Sequence, residues 1–190
     1  MLVSRAPAES LLYLALHPCD CGTRELVPEH QLEERDNLWV AVYAGPCPGC
    51  GQYRRFEFAI DEEEPPPGAV FGGDRPSQIL DPGQFHHASD RAAARVPVDL
   101  SRLPPHRWPA ARDDMRYAVA GIEEVAKFLP PGAEAVPAEA FRSRLGRAMR
   151  RSRPDRFQRE RIEDRLRFYR HTLAELQYGT GYPLAAETGR

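Results

Sequence analysis

The residues with the clearest chemistry are four cysteines, all of which lie between positions 19 and 50 of this 190-residue chain. They form two pairs, because Cys19 and Cys21 are separated by one residue and Cys47 and Cys50 by two. Two facing loops that each present two thiolates can complete the tetrahedral shell of one zinc ion. The spacing therefore predicts a structural Zn²⁺ ion bound by Cys19, Cys21, Cys47 and Cys50.

The second pair lies in Cys-Pro-Gly-Cys-Gly, residues 47–51, which is typical of a zinc knuckle. Proline begins the turn, and the glycines tolerate the left-handed backbone that points amide N–H groups at the sulfurs. The first pair, in Cys-Asp-Cys-Gly at residues 19–22, is one residue shorter. His17 lies close by, but four thiolates already complete a tetrahedral shell. Such a shell has no open position for water, so we expect no catalysis at the metal.

Disulfides and unrelated core thiols are the alternatives to a metal site. Disulfides suit secreted chains, and the best candidate for a signal peptide is the apolar run Leu11–Leu16 behind Arg5. That run is shorter than the usual apolar core of a signal peptide and lacks a clean cleavage site. We therefore expect reduced thiols and a cytoplasmic protein.

Residues 11–60 resemble the zinc-ribbon superfamily, in which hairpins carry paired cysteines around one zinc ion. The one-residue gap between Cys19 and Cys21 departs from the usual two-residue gap. The cysteine order also resembles the zinc switch of the redox-regulated holdase chaperones, which implies a redox-responsive zinc switch as an alternative function. The remainder, from Glu123–Phe141 onward, resembles uncharacterised proteins of GC-rich bacteria, and that resemblance implies no functional residues.

A second group of candidate residues is a dense run of arginines near the C-terminus. Guanidinium groups bind phosphate and carboxylate through paired hydrogen bonds, so this run predicts a partner-binding surface. A solvated helix face, a nucleic-acid site and an intramolecular dock for the acidic segment Asp61–Glu64 are the alternatives. The sequence pI of about 6.3 is below that of a dedicated nucleic-acid binder. The run comprises Arg142, Arg144, Arg147, Arg150, Arg151, Arg153, Arg156 and Arg159.

Other chemistry-bearing residues carry weaker signals. His86 and His87 are adjacent, and neighbours on a helix point about 100° apart, so we expect surface histidines rather than a chelating pair. Trp108 in a proline-rich segment is expected to anchor a loop. The chain carries no hydrolase, zinc-protease or kinase motif. The sequence therefore predicts no catalytic residues, and an enzymatic function is less expected than a binding function.

The elements that must position these residues change in character along the chain. Short apolar runs predict strands at Leu11–Leu16, Leu38–Ala44 and Tyr53–Ile60. Helical periodicity follows, first in a helix with Asp81 as N-cap, Pro82 and Gln84. Three more apolar faces lie within residues 115–129, 141–149 and 162–176, the last closed by Gly179.

The sequence thus predicts an α+β fold. A zinc-ribbon β module would span residues 1–62, a Pro/Gly-rich linker residues 63–75, and a helical domain of about four amphipathic helices residues 76–190. With 42% apolar and 28% charged residues, the composition is that of a globular protein with a solvated surface. No apolar run approaches the ~20 residues of a membrane-spanning helix.

From these features we predict a non-enzymatic protein–protein interaction module, such as an adaptor, an inhibitor or an immunity-type partner. Charge supports this expectation, since residues 1–70 carry twelve acidic side chains against five arginines, whereas residues 141–171 carry twelve arginines against four acidic side chains. Separate charged surfaces favour fast, salt-dependent association with a partner. A nucleic-acid-binding regulator is the alternative, and the oligomeric state is left open.

Overall fold

A computed structural model describes residues 1–178 and confirms the α+β class. Its sheet consists of β1 (Leu2–Ser4), β2 (Glu29–Arg35), β3 (Leu38–Pro46) and β4 (Tyr53–Ile60) in the order β1-β4-β3-β2. β1 runs parallel to β4, and the other neighbours are antiparallel. The long strand β3 is therefore central, and β2 forms one open edge.

β2 and β3 form a hairpin that turns at Asp36 and Asn37. Both residues have positive φ, 49° and 62°, as the two central positions of a type I′ turn require. The register pairs Arg35 with Leu38. Because side chains alternate across a strand, this register sends Ala41 and Tyr43 to one face of the sheet, here called the inner face.

The strand predicted at Leu11–Leu16 is wrong, because these residues belong to helix α1 (Pro7–Leu16). Leu12 packs in the core with the helices, whereas Leu14 packs with the inner face of the sheet. Positions two apart lie about 200° apart around a helix but on the same face of a strand. Only the helix therefore lets these two leucines fill different cores.

Four α-helices follow the sheet among the described residues: α2 (Pro82–Ala93), α3 (Trp108–Ala126), α4 (Arg144–Ser152) and α5 (Arg159–Tyr178). Asp81 and Gln84 form the predicted capping box at the start of α2. The expected C-cap Gly179 lies outside the described residues. Short 3₁₀ turns at Leu100–Arg102, Pro105–Arg107, Ala138–Ala140 and Pro154–Phe157 connect the helices.

The helical core forms where α2 and α5 pack on α3. Phe85 of α2 and Ile122 of α3 are fully buried. Gly121 allows the close approach, because a Cβ there would lie 2.9 Å from the Cβ of Ser89. The Ser89 hydroxyl donates to the carbonyl of Ala118 in the facing helix. Trp108 anchors its loop as expected, since it is buried and its indole N–H donates to the Leu103 carbonyl.

A buried ionic cluster joins the N-terminal segment to this core. The guanidinium of Arg5, which follows β1, lies 2.7 Å from Glu9 of α1 and 2.7 Å from Glu124 of α3. All three side chains are at most 5% exposed. Residues of the predicted ranges 1–62 and 76–190 therefore share both a core and an ion cluster, and the division into separate folding units stays a prediction.

Candidate metal centre

The first cysteine loop follows α1 and closes on itself through backbone hydrogen bonds. The N–H of Cys19 donates to the carbonyl of Thr23 over 2.9 Å, and the N–H of Gly22 donates to the carbonyl of Cys19 over 2.7 Å. Gly22 has φ +87°, a conformation that only glycine adopts readily. These bonds hold the side chains of Cys19 and Cys21 on one short turn.

The second cysteine loop links β3 to β4 and is closed in the same way. The N–H of Cys47 donates to the carbonyl of Gln52, and the N–H of Gly51 donates to the carbonyl of Cys47, both over 2.8 Å. Gly51 has φ +76°. The two loops thus share one hydrogen-bond scheme and differ only by one residue, which explains how the shorter first pair forms a comparable turn.

The two loops bring all four sulfurs together. The Sγ atoms of Cys19, Cys21, Cys47 and Cys50 lie within 4.8 Å of one another. Cys19 and Cys50 are 3.6 Å apart, and Cys21 and Cys47 are 3.7 Å apart. A tetrahedron with Zn–S bonds of about 2.3 Å has edges of about 3.8 Å, whereas a disulfide bond is about 2.05 Å long. The four thiols are unbridged and close enough to hold one metal ion.

Side chains next to the cluster form hydrogen bonds with two of the sulfurs. The Sγ of Cys21 lies 3.2 Å from the Thr23 hydroxyl, and the Sγ of Cys19 donates to the Gln52 side-chain oxygen over 3.3 Å. His17 lies outside the cluster, because its Nδ1 bonds the Tyr13 carbonyl over 2.7 Å and its ring stacks on that of Tyr13. Within residues 1–178, the four cysteines are the metal-capable group.

The electrostatics of the cluster favour negative charge on part of the sulfurs. Hydrogen bonds from the hydroxyl and backbone of Thr23 lower the pKa of Cys21 to about 6. Burial opposes ionisation of Cys47, but the amides of Gly49 and Cys50 outweigh it and lower its pKa. The backbone N–H of Gln52 favours the Cys50 thiolate. Hydrogen bonds with the neighbouring thiols have the larger effect and raise the pKa of Cys50 to about 12. The sulfurs thus share protons that a divalent cation would displace.

The predicted arginine surface is divided among several intramolecular contacts. Arg142 donates to the carbonyls of Ser77 and Leu80, and Arg159 donates to those of Ala133 and Pro130. Arg156 pairs with Asp90, Arg147 bonds the Arg142 carbonyl, and Arg150 lies over the Phe141 ring. Among the described residues, Arg144, Arg151 and Arg153 have no such contact. Partner or nucleic-acid binding by the whole run stays a prediction.

Two other groups of candidate residues occupy places that the sequence did not indicate. His86 is 1% exposed, so the prediction of a surface histidine is wrong. It lies on the packed face of α2, with its ring against Phe157 and its Nδ1 3.3 Å from Asp90. Asp61 and Glu63, proposed to dock on the arginine run, instead pair with Arg75.

A feature that the sequence analysis missed is an open groove on the inner face of the sheet. Helix α1 covers only part of this face, and Leu32, Trp39 and Ile60 remain 55%, 55% and 42% exposed. An adjoining cavity of about 350 Å³ lies between the start of α1 and strands β2 and β3. Its mainly apolar walls include Leu32, Ile60 and Pro7, and its lining also includes Asp61, Glu62 and Glu64.

One local signal in the sequence indicates strand β2, which borders this groove. The Asp36-Asn37 pair before Leu38 is a hairpin signal, and it could have revealed β2 despite that strand's polar sequence. The exposure of Trp39 depends on how far α1 extends over the sheet, which no local pattern encodes.

No helix among residues 1–178 is long and apolar enough to cross a membrane. Comparison of the chain with protein-family models, with curated proteins and with solved structures gave no match.

Proposed function

We propose that this protein is a non-enzymatic interaction module that holds one structural zinc ion and binds a basic, apolar segment of another protein. Cys19, Cys21, Cys47 and Cys50 would hold the ion. Support for zinc comes from the four sulfurs, whose separations of 3.6 and 3.7 Å approach the edge of a zinc–thiolate tetrahedron. The ion would tie the loop after α1 to the β3–β4 connection.

The observation that carries the interaction function is the half-covered inner face of the sheet. Leu32, Trp39 and Ile60 form an exposed apolar patch, here called the inner-face patch, which continues into the 350 Å³ groove. Exposed apolar patches beside grooves mark interaction sites, and tryptophan is enriched among the residues that dominate binding energy. β2 also presents the free backbone groups of an edge strand, to which an extended segment could add.

The charges around the groove select the kind of partner. Asp61, Glu62 and Glu64 line it together with Arg5, whose guanidinium is already paired in the buried ion cluster. Of these three carboxylates, Arg75 pairs only with Asp61 among the described residues. An extended segment that alternates apolar residues with lysine or arginine would bury its apolar side chains on the patch and present its cations to these carboxylates. An adaptor, an inhibitor or an immunity-type partner could each use such a surface.

Fluorescence titration tests this proposal, because the chain has two tryptophans and only Trp39 is exposed. The probes are ten-residue peptides that alternate valine with lysine, matched peptides that alternate valine with glutamate, and scrambled versions of both. We expect the lysine peptides to shift the emission of Trp39 to the blue, with a dissociation constant in the micromolar range.

Two variants complete the test. Leu32→Ser, which leaves the fluorophore in place, should weaken binding of the lysine peptides about tenfold. The matched control is Leu11→Ser, since Leu11 is 49% exposed but lies on α1 outside the groove lining. Equal binding of the glutamate peptides, or equal weakening by Leu11→Ser, would overturn the assignment of this surface.

A further inference from the structure

A second cleft, of about 640 Å³, lies where the first cysteine loop meets α2 and α4. It is bounded on one side by His17 and Arg24, which flank the cysteine pair in sequence, and on the other by His87 of α2 and Arg144 of α4. This cleft is separate from the sheet groove and shares no lining residue with it. Its polar lining therefore comes from both the metal-binding segment and the helices.

The charge of the cleft is positive and not neutralised from within. Arg24 and Arg144 form no ion pair among the described residues, and no carboxylate belongs to the lining. The carboxylate of Asp81, which accepts from the backbone N–H groups of Gln84 and Ser143, lies outside the lining. Burial, followed by the charges of Arg91 and Arg24, lowers the pKa of His87, in keeping with a guanidinium close to that ring.

The cleft also has an apolar part, although Gln84 and Ser143 belong to its lining as well. Ala15 and Leu16 of α1 and Leu145 and Ala148 of α4 supply this apolar part. A volume of 640 Å³ lies within the range of about 300–1,000 Å³ that small-molecule sites occupy. The cleft is thus much larger than a single inorganic anion needs, and it offers apolar contact beside two unpaired guanidinium groups.

We propose that this cleft binds a small organic phosphate, with the phosphate group between Arg24 and Arg144 and the organic part against Leu16 and Leu145. Guanidinium groups match phosphate oxygens through paired, charge-assisted hydrogen bonds. The proposal concerns a surface that the peptide-binding function does not use. Either can therefore fail without the other.

Isothermal titration calorimetry with phenyl phosphate tests the site, with inorganic phosphate and phenol as probes of its two halves. We expect phenyl phosphate to bind more tightly than either. Arg24→Gln and Arg144→Gln should each weaken it about tenfold, because each removes a charge-assisted contact. Arg151→Gln is the matched control, since Arg151 is an exposed arginine of α4 outside the cleft, and it should change the affinity less than twofold.

Three outcomes would overturn the proposal. These are the absence of binding at millimolar phenyl phosphate, an equal loss for Arg151→Gln, and inorganic phosphate binding as tightly as the phenyl ester. Thermal melting of each variant separates a lost contact from a lost fold, and all three substitutions should leave the melting temperature unchanged, because the side chains are exposed or partly exposed.

Discussion

At Gly49 the second cysteine loop approaches the first closely. A Cβ at this position would lie 2.2 Å from the Thr23 hydroxyl oxygen and 3.5 Å from the sulfur of Cys21. Gly49→Ala should therefore push Thr23 away from Cys21 and weaken zinc binding by about tenfold or more, as the loss of ligand-supporting contacts commonly does. Competition with a chromophoric chelator measures this affinity.

Pro48→Ala provides the control for that substitution, since Pro48 is exposed in the same loop. It should leave the affinity within twofold of the unmodified chain. An unchanged affinity for Gly49→Ala would show that the contact between the loops does not position the ligands.

Asp90 is a residue whose protonation should lower stability in acid. It pairs with Arg156 at 2.8 Å and with Arg165, beside the buried His86. Burial opposes its ionisation, but His86, Arg165 and Arg156 outweigh burial and lower its pKa from the ordinary value of an aspartate. A lowered folded-state pKa contributes stability that is present above the unfolded value and is lost as pH falls through the folded value.

Asp90→Asn should consequently reduce the free energy of unfolding by about 1–3 kcal/mol at pH 7, and the difference from the unmodified chain should shrink below about pH 4. Urea titrations at both pH values measure it. Asp113→Asn is the control, because this side chain is 66% exposed, and it should change stability by less than about 0.5 kcal/mol. A difference that persists unchanged in acid would contradict the role of the charge.

At the scale of elements, the ion cluster around Arg5 should hold β1 and α1 against α3. Glu124→Gln leaves the buried Arg5 and the nearby Lys127 with one carboxylate fewer, and breaking a buried pair costs about 3 kcal/mol or more. The side chain of its neighbour Glu123 is 42% exposed and pairs with Arg170, so Glu123→Gln should have almost no effect. Denaturant unfolding of both variants checks this, and equal stabilities would show that the cluster is not structural.

How well the sequence predicts each element depends on how local its signals are. β3 follows from a short run rich in β-branched and aromatic residues, β4 from alternating apolar residues and the start of α2 from the Asp81–Gln84 cap, and the structure contains all of them. The sequence of α1 fits a strand as well as a helix, because a six-residue apolar run has no distinctive period. β2 was missed because an exposed edge strand such as Glu29–Arg35 needs no apolar face.

The candidate sites also differ in how local their sequence signals are. The spacing of the paired cysteines predicts that their side chains lie together, because few arrangements other than a shared metal require such spacing. The burial of His86 and the openness of the sheet around Trp39 instead depend on contacts between residues far apart in sequence. The cleft between Arg24 and Arg144 brings together segments 120 residues apart in the chain, so no local pattern could reveal it.

At the scale of the whole molecule, the metal site joins the loop after α1 to the β3–β4 connection. Residues 23–28, between the first cysteine loop and β2, have no regular secondary structure. The helical core built on α2, α3 and α5 includes Leu12 of α1 but none of the four cysteines. We therefore expect the ion to stabilise one end of the molecule far more than the other.

Hydrogen exchange before and after metal removal tests that expectation. A structural zinc ion is worth an apparent ~10 kcal/mol or more, so a strong chelator should sharply increase exchange in residues 17–28 and 46–53. α3 should stay protected, because its core contains no metal ligand. Cys47→Ser should reproduce the pattern without a chelator, and adding zinc back should restore protection only in the unmodified chain. Identical exchange with and without metal would mean that the four sulfurs, although close together, do not support this end of the fold through an ion.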